Sequence, residues 1–353
     1  MGAEWARAIA SHRNASTHEG LARAVAWSRQ WSAEFPFCLA NHLPMVLVAL
    51  HRMGASDERL EAYCQIYRRQ NGLVPMPERI GAITRKNWRA FLGQREREGD
   101  YRAFFAGEVA RLGATPAALL YLPELIPGMA ASATHALMRM AYATMTDSDE
   151  ETGVALGYWA ATYLSLGPSQ GLAPSTDDPA EVLAFMSGPQ AFRQVEPDRD
   201  LLWHFMRAVS EKPEFAPVVD RLAIGPETRD RIARCSLALY AATLDFCALH
   251  AVTGTHWLRL IAPRTPDAAT ALRHFWQAIA SLVPKIGFPV LPSADELEIW
   301  RRARLPDWPE IYREAVARDD EHDLSLVFSA GEEFKHYGDR LYQYVAAKRL
   351  SLV

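Results

Sequence analysis

The chain of 353 residues is predicted to be an all-α protein. Large apolar side chains recur four residues apart, as in Trp27 and Trp31, which places them on one face of a helix. Residues 228–252 form a long, strongly apolar stretch, typical of a helix at the centre of a protein. Only the short segment Phe288–Leu291 resembles a strand, and only weakly. We therefore expect a single large multi-helix domain over residues 1–353.

Start and stop signals divide the helical pattern into separate elements. Asn41 is a good N-cap and Pro44 suits the first turn of a helix, so a helix is expected to start there and to stop near Gly54. The other expected helices cover residues 3–34, 56–70, 86–113, 129–142, 150–166, 201–222, 228–252, 267–283 and 320–349, the last with a break at Gly338.

Two stretches lack helical periodicity and are expected to be long irregular connections. Residues 167–200 are rich in glycine, proline, serine and aspartate, and contain one short expected helix, Ala180–Met186. Residues 286–310 carry repeated prolines. Long connections of this kind act as lids or as plain linkers.

The composition excludes several classes of partner. A net charge of -4 and a pI near 6.3 argue against nucleic acid, which would usually require a basic face. No apolar run reaches the length of a membrane span, and Glu4 lies too early for a secretory signal. The four cysteines are scattered, as in a reducing compartment. We expect a cytoplasmic protein with neither a nucleic-acid nor a membrane partner, and a homodimer stays open.

Common cofactor motifs are missing. The sequence has no GxGxxG, no phosphate-binding GxxxxGK and no HExxH, so nucleotide-binding folds and zincins lose support. One ExxH is present, from Glu333 to His336, but a ferritin-like di-iron site needs two such motifs. We therefore expect Glu333 to lie on a solvated, charged turn of a helix.

Four histidines in apolar or helix-start settings are the strongest functional signal. His250 and His256 lie in the apolar segment Phe246–Arg259, and His42 and His135 occupy similar settings. A buried imidazole is costly unless its nitrogens have partners, and neutral imidazole is the commonest metal ligand. One such histidine would usually be a hydrogen-bonded core residue, whereas four favour a shared metal site. A set rich in imidazole suits iron, copper, nickel or zinc.

Spacing restricts this metal hypothesis. His250 and His256 are six residues apart, which separates them by about 120° around a regular helix, so they converge only if residues 253–255 break or kink it. Arg139 and Arg259 follow two of the histidines by about one helical turn. These arginines either bind a phenolate or carboxylate of a substrate, or form structural ion pairs.

Four segments resemble the questin oxidase-like family and occur in its order: Phe37–Met45, Ala133–Arg139, Phe246–Arg259 and Asp319–His322. The resemblance implies oxidative cleavage or Baeyer–Villiger-type oxidation of polycyclic aromatic ketones, such as anthraquinones, in polyketide pathways. Ring-cleaving members are described as non-haem iron oxygenases, with the iron held by several histidines and a carboxylated lysine, and some members use reduced nicotinamide. Matched motif by motif, the resemblance carries the metal-ligand role over to His42, His135, His250 and His256.

The chain departs from the family at the expected lysine. The run after the last histidine motif reads His322-Asp-Leu-Ser325, and Lys335 lies too far along to replace the lysine. Either the metal has one protein ligand fewer, or His322 takes part, or the chemistry is altered or lost.

The first hypothesis is a non-haem oxygenase that uses Fe(II) and O2, with NADPH as a candidate reductant, and in which Arg139, Arg259 and His322 act in catalysis. The second is a metal-free helical enzyme or binding protein for a polyketide intermediate, in which the histidines serve as hydrogen-bond or acid–base groups. A third is a relic of the family with a structural zinc.

Overall fold

The computed structural model describes residues 19–353. Within this range the backbone forms α-helices, short 3-10 helices and isolated β-bridges, and no strand of a sheet occurs, so the all-α prediction is confirmed. Helical residues 19–28 (α1) end earlier than the predicted helix 3–34, whose first part lies outside the described residues.

The remaining α-helices have the following bounds: α2 Leu43–Arg52, α3 Asp57–Asn71, α4 Glu98–Leu112, α5 Ala114–Leu125, α6 His135–Thr146, α7 Asp149–Ala161, α8 Pro179–Phe185, α9 Leu202–Ser210, α10 Val218–Arg221, α11 Thr228–Thr243, α12 Phe246–Ile261, α13 Ala268–Ala280, α14 Val283–Ile286, α15 Ala294–Arg301, α16 Trp308–Val316, α17 Glu321–Tyr337 and α18 Arg340–Arg349. Short 3-10 helices cover Pro36–Cys38, Trp88–Phe91, Arg95–Arg97, Ile126–Gly128, Gln190–Arg193, Pro213–Phe215 and Ala262–Arg264. Among residues 19–353, no helix combines the length and the apolar character that crossing a bilayer requires.

The contacts divide the chain into two compact units. The first comprises the described residues up to Met76 together with Pro306–Phe328, and the second comprises Pro77–Leu305 together with Ser329–Val353. The prediction of one domain over the whole chain stays a prediction.

In the first unit, α2 packs against α3 and carries an unbroken buried apolar run. Arg59 of α3 ties the two segments of this unit together. Its Nε donates to the carbonyl of Val316 at 2.7 Å, and its Nη2 donates to the carbonyl of Arg318 and to Asp319. The Arg59 side chain therefore holds the loop between α16 and α17 through three hydrogen bonds.

In the second unit, α12 packs against α6, α11 and α13, and α7 packs against α4, α5 and α6. Gly157 permits the close approach of α7 to α4, because a Cβ there would lie 3.1 Å from the backbone nitrogen of Arg102. The centre of α12 is buried on all sides, as expected for a core helix.

The predicted helix 228–252 is wrong, because the chain breaks within it. α11 ends at Thr243, Leu244 adopts a left-handed conformation with φ 49°, and Asp245 starts α12 as its N-cap. The Asp245 carboxylate accepts hydrogen bonds from the backbone N–H groups of Cys247 and Ala248. A short acidic side chain that satisfies two unpaired N–H groups favours a new helix start over continuation.

The kink at residues 253–255 that convergence of His250 and His256 would require is absent, since α12 is one continuous helix from Phe246 to Ile261. Gly254 serves another purpose: a Cβ at this position would lie 2.6 Å from Cε2 of Phe275 on α13. The glycine therefore allows two helices to approach closely and does not bend the backbone.

The predicted helix 129–142 starts later than expected, at His135. Ser132, Ala133 and Thr134 before it all have positive φ angles of 45°, 56° and 70°. Left-handed conformations cost residues with a Cβ about 1–2 kcal/mol each, so this turn is strained and must be stabilised by its surroundings.

The irregular connections differ from each other. The 167–200 connection is confirmed, since it holds only α8 and one 3-10 helix. The prediction that 286–310 is irregular is wrong in part, because this stretch contains α15 and the start of α16, whose N-caps are Ser293 and Asp307. The break at Gly338 is confirmed, with φ 69°.

Candidate metal centre

His42 lies directly before α2 with its imidazole buried. Its Nδ1 is 3.0 Å from the carbonyl oxygen of Ala40 and 3.3 Å from Oε1 of Glu321, and its backbone N–H donates to the hydroxyl of Tyr67 at 2.9 Å. A carbonyl oxygen can only accept, so Nδ1 carries the proton. In a neutral His42 the lone pair available to a metal is therefore on Nε2.

Glu321 and His322 are the first two residues of α17, and they meet His42 within the first unit. One potential ligand atom from each of the three residues lies within 4.8 Å of the others, and in residues 19–353 this is the one group of three or more histidine, cysteine or acidic residues with that geometry. The rings of His42 and His322 are 5.2 Å apart, edge to face. Glu321, which sequence analysis did not select, is adjacent to His322 in the motif that carried the resemblance.

His42 and Glu321 each favour the charged form of the other side chain. Burial lowers the pKa of His42, but the charge and hydrogen bond of Glu321 outweigh it, so the pKa of His42 is raised. Burial likewise raises the pKa of Glu321, and the charges of His42 and His322 reverse this and leave it lowered. Metal binding at Nε2 would have to displace any second proton on His42.

His135 and His250 meet in the second unit, with their ring centroids 5.3 Å apart. His135 Nδ1 donates to the carbonyl of Ser132, so the strained turn before α6 orients this ring. His250 Nδ1 lies 3.1 Å from the carbonyl of Phe246, one turn earlier on α12. Both rings therefore hold their proton on Nδ1, as His42 does.

His256 occupies a different side of α12 and contacts a carboxylate. Its Nδ1 lies 2.9 Å from Oε1 of Glu333, against 3.4 Å from Nη2 of Arg259, so donation to Glu333 is the better hydrogen bond. Burial raises the pKa of Glu333, but His256 and Arg259 outweigh it and the pKa is lowered.

The prediction that Glu333 lies on a solvated turn is wrong, because its side chain is 0% exposed. Leu326 and Ala330, seven and three residues earlier, mark the buried face of α17 on which Glu333 lies. This spacing is the feature of the sequence from which the burial of Glu333 could have been predicted.

Both selected arginines pair with buried carboxylates in the second unit. Arg139 Nη2 lies 3.5 Å from Oε2 of Glu151, and Arg259 Nε donates to Glu333 at 2.8 Å. This is the structural alternative that the sequence left open, and a role for either arginine in catalysis stays a prediction.

Residues 167–171 read Gly-Pro-Ser-Gln-Gly, which has the GxSxG spacing of a nucleophile elbow. The strand that such an elbow requires does not occur in the described chain. The Ser169 hydroxyl donates to the buried carboxylate of Asp220, so this segment is an anchored loop.

The fold and these contacts define an all-α protein with buried, oriented histidines. A carboxylate lies beside His42 and a different one beside His256. The family description "Questin oxidase-like" matches residues 39–329, and the chain therefore belongs to the questin oxidase-like family. Membership suggests an oxidoreductase, an oxygenase that acts on small-molecule polyketides of the anthraquinone type. A comparison with curated proteins found no significant match.

Proposed function

We propose that this protein is a non-haem, metal-dependent oxygenase that performs oxidative C–C cleavage or Baeyer–Villiger-type oxidation of a polycyclic aromatic or quinone polyketide. One observation carries the metal dependence. In His42, His135, His250 and His256 alike, Nδ1 lies beside an oxygen that accepts its proton. Four rings with the same tautomer present the same ligand atom, Nε2.

A hydrogen bond from Nδ1 to a carbonyl or a carboxylate is the usual support of a metal-bound histidine, because it fixes the ring and makes Nε2 more basic. Imidazoles with an oxygen ligand suit Fe(II), and a bound iron would supply the activation of O2. The protein itself would orient the aromatic substrate and exclude water. Arg139 and Arg259 are proposed to steady a developing oxyanion.

Metal analysis tests the proposal directly. Protein purified without oxygen and supplied with Fe(II) should hold iron, and chelation should abolish oxygen consumption with a hydroxylated anthraquinone. Omitting NADPH from the assay tests the reductant. A metal-free preparation that keeps full oxygen consumption would overturn the proposal.

Single alanine variants of the four histidines should lower the iron content. His274→Ala is the matched control, since His274 is also buried and its Nδ1 lies 3.1 Å from Oε1 of Gln277, but it was not selected as a ligand. The sequence prediction assigns all four histidines to one ion, which required a kink between His250 and His256 that α12 does not have. One iron per chain that is lost in each variant would support that assignment, and iron lost in only some variants would contradict it.

The alternative of a metal-free acid–base or binding protein is favoured by one observation, the ion pair between His42 Nδ1 and Glu321 Oε1 at 3.3 Å. Such a pair can hold a proton for transfer to a bound polyketide. Fully chelated protein that binds an anthraquinone and converts it at the original rate would support this alternative.

A further inference from the structure

We infer that Glu321 is a metal ligand, and that His42, Glu321 and His322 form a 2-His-1-carboxylate site. The inference deepens the proposed function and rests on it for the identity of the metal. Of the four histidines that the sequence assigns to one ion, this site uses only His42, so the inference replaces that ligand set with His42, Glu321 and His322 and keeps the metal dependence.

The geometry of the three side chains favours a cation over a simple ion pair. A structural pair needs only His42 and Glu321, yet His322 also places a ligand atom within 4.8 Å of both. The Tyr67 hydroxyl contributes a hydrogen bond to the Glu321 carboxylate, and within that carboxylate Oε2 is buried with no hydrogen-bond partner. Leaving a buried carboxylate oxygen unbonded is costly, and a cation would offset that cost.

The site is built on fixed backbone. The Asp320 carboxylate accepts the N–H groups of His322 at 2.8 Å and of Asp323 at 3.0 Å, which fixes the first turn of α17. Asp320 Oδ1 also lies 3.7 Å from Nδ1 of His322. Arg59 holds the preceding loop through its hydrogen bonds to backbone carbonyls. Ligands on rigid elements are the arrangement that a metal site requires.

The donor set selects the class of metal. Two imidazoles and one carboxylate leave coordination positions open, which is the pattern of non-haem Fe(II) sites that bind O2 and substrate together. Ser325, the next residue on this face of α17, is buried and offers only a hydroxyl. Glu321 is therefore the carboxylate that this face of the helix provides.

The test uses Co(II) as a spectroscopic substitute for Fe(II) on the full chain, with binding followed by the visible spectrum and by the increase in melting temperature. Glu321→Gln keeps the shape and removes the charge, and should weaken Co(II) binding by more than about tenfold, the smallest effect typical of even indirect contacts. His322→Ala should behave in the same way. Asp323→Asn, which removes a negative charge one residue after His322, is the matched control and should bind Co(II) as the unaltered protein does.

The outcomes separate this inference from the proposed function. If the unaltered protein binds Co(II) and Glu321→Gln binds it equally well with the same spectrum, the inference is overturned and the proposed function stands. If the unaltered protein binds no metal, the proposed function fails as well. If Glu321→Gln does not fold, Glu321→Asp takes its place. This variant keeps the charge and withdraws the carboxylate by one methylene, so a changed Co(II) spectrum supports the inference and an unchanged one overturns it.

Discussion

Oε1 of Glu333 lies 2.9 Å from Nδ1 of His256 and 2.8 Å from Nε of Arg259, so a single buried oxygen binds two cationic or proton-donating groups of α12. The carboxylate is fully buried, whereas the side chain of Arg259 keeps 18% of its exposure. This contact fixes the orientation of one of the four selected histidines.

Replacing Glu333 by glutamine should destabilise the protein strongly. Removing one partner of a buried pair leaves the other charge uncompensated and typically costs about 3–5 kcal/mol. Equilibrium unfolding in urea measures the loss. The control is Glu332→Gln, because the Glu332 carboxylate pairs with Lys335, whose side chain is 61% exposed. This change should alter the free energy of unfolding by less than about 1 kcal/mol. Equal stability of the two variants would contradict the prediction.

Gly254→Ala should destabilise the protein by about 1–3 kcal/mol, because the added methyl group would overlap the ring of Phe275. The control is Gly107→Ala in α4, where an added Cβ meets nothing within 4 Å. There the higher helix propensity of alanine should stabilise the protein by up to about 1 kcal/mol. Opposite shifts in melting temperature are expected, and a stabilised Gly254→Ala would show that Gly254 is not required for helix packing.

Phe37→Gly should stabilise the protein by roughly 1 kcal/mol. Phe37 has a φ of 70°, which is unfavourable for a residue with a side chain, and 76% of it is exposed, so little buried area is lost. Leu39→Gly in the same loop is the control, because Leu39 has an ordinary φ of -85° and gains no relief from strain. The glycine introduced at position 39 has more conformational freedom in the unfolded chain, which should lower stability. Thermal unfolding of both variants distinguishes this loss from the relief of strain at position 37.

Asp220 should make the anchored loop sensitive to acid. Burial raises the pKa of its carboxyl, but hydrogen bonds from the Ser169 hydroxyl and from the backbone N–H groups of Gln170 and Leu172 outweigh it, so the pKa is lowered. A lowered pKa stabilises the folded state above the unfolded value of about 3.9, and this contribution is lost as the pH falls through the folded value.

Asp220→Asn should therefore lower stability at pH 7 by about 1.5–3 kcal/mol, the range for hydrogen bonds to a charged group, with a smaller difference at pH 3. The control is Asp198→Asn, whose carboxylate is 76% exposed. It should have little effect at either pH. A difference between Asp220→Asn and the unaltered protein that does not shrink in acid would refute this account.

Sequence patterns predicted the ends of helices well where those ends depend on neighbouring residues. The start of α2 illustrates this: the helix begins at Leu43 with His42 as its N-cap, one residue after the predicted cap Asn41, whose Oδ1 accepts the N–H of Leu43. The break at Gly338 is likewise a local matter of backbone freedom. The break at Asp245 was missed because the apolar pattern runs on through it, although the capping aspartate was visible.

Gly254 shows where the local pattern misleads. A glycine between two threonines indicates a bend when it is read alone, and its actual role depends on Phe275, a residue on another helix. Glu333 is a similar case, since its motif indicated a solvated turn and its burial follows from the packing of α17.

By itself, the sequence determined the helical fold class, the family and the set of histidines whose rings the protein orients. The tertiary structure showed that Glu321 accompanies His42 and that Glu333 holds His256. The reason is physical: helix periodicity and capping depend on residues within a few positions of one another, whereas these contacts join residues far apart in the chain. Such contacts exist only once helices have packed and buried polar groups have found partners.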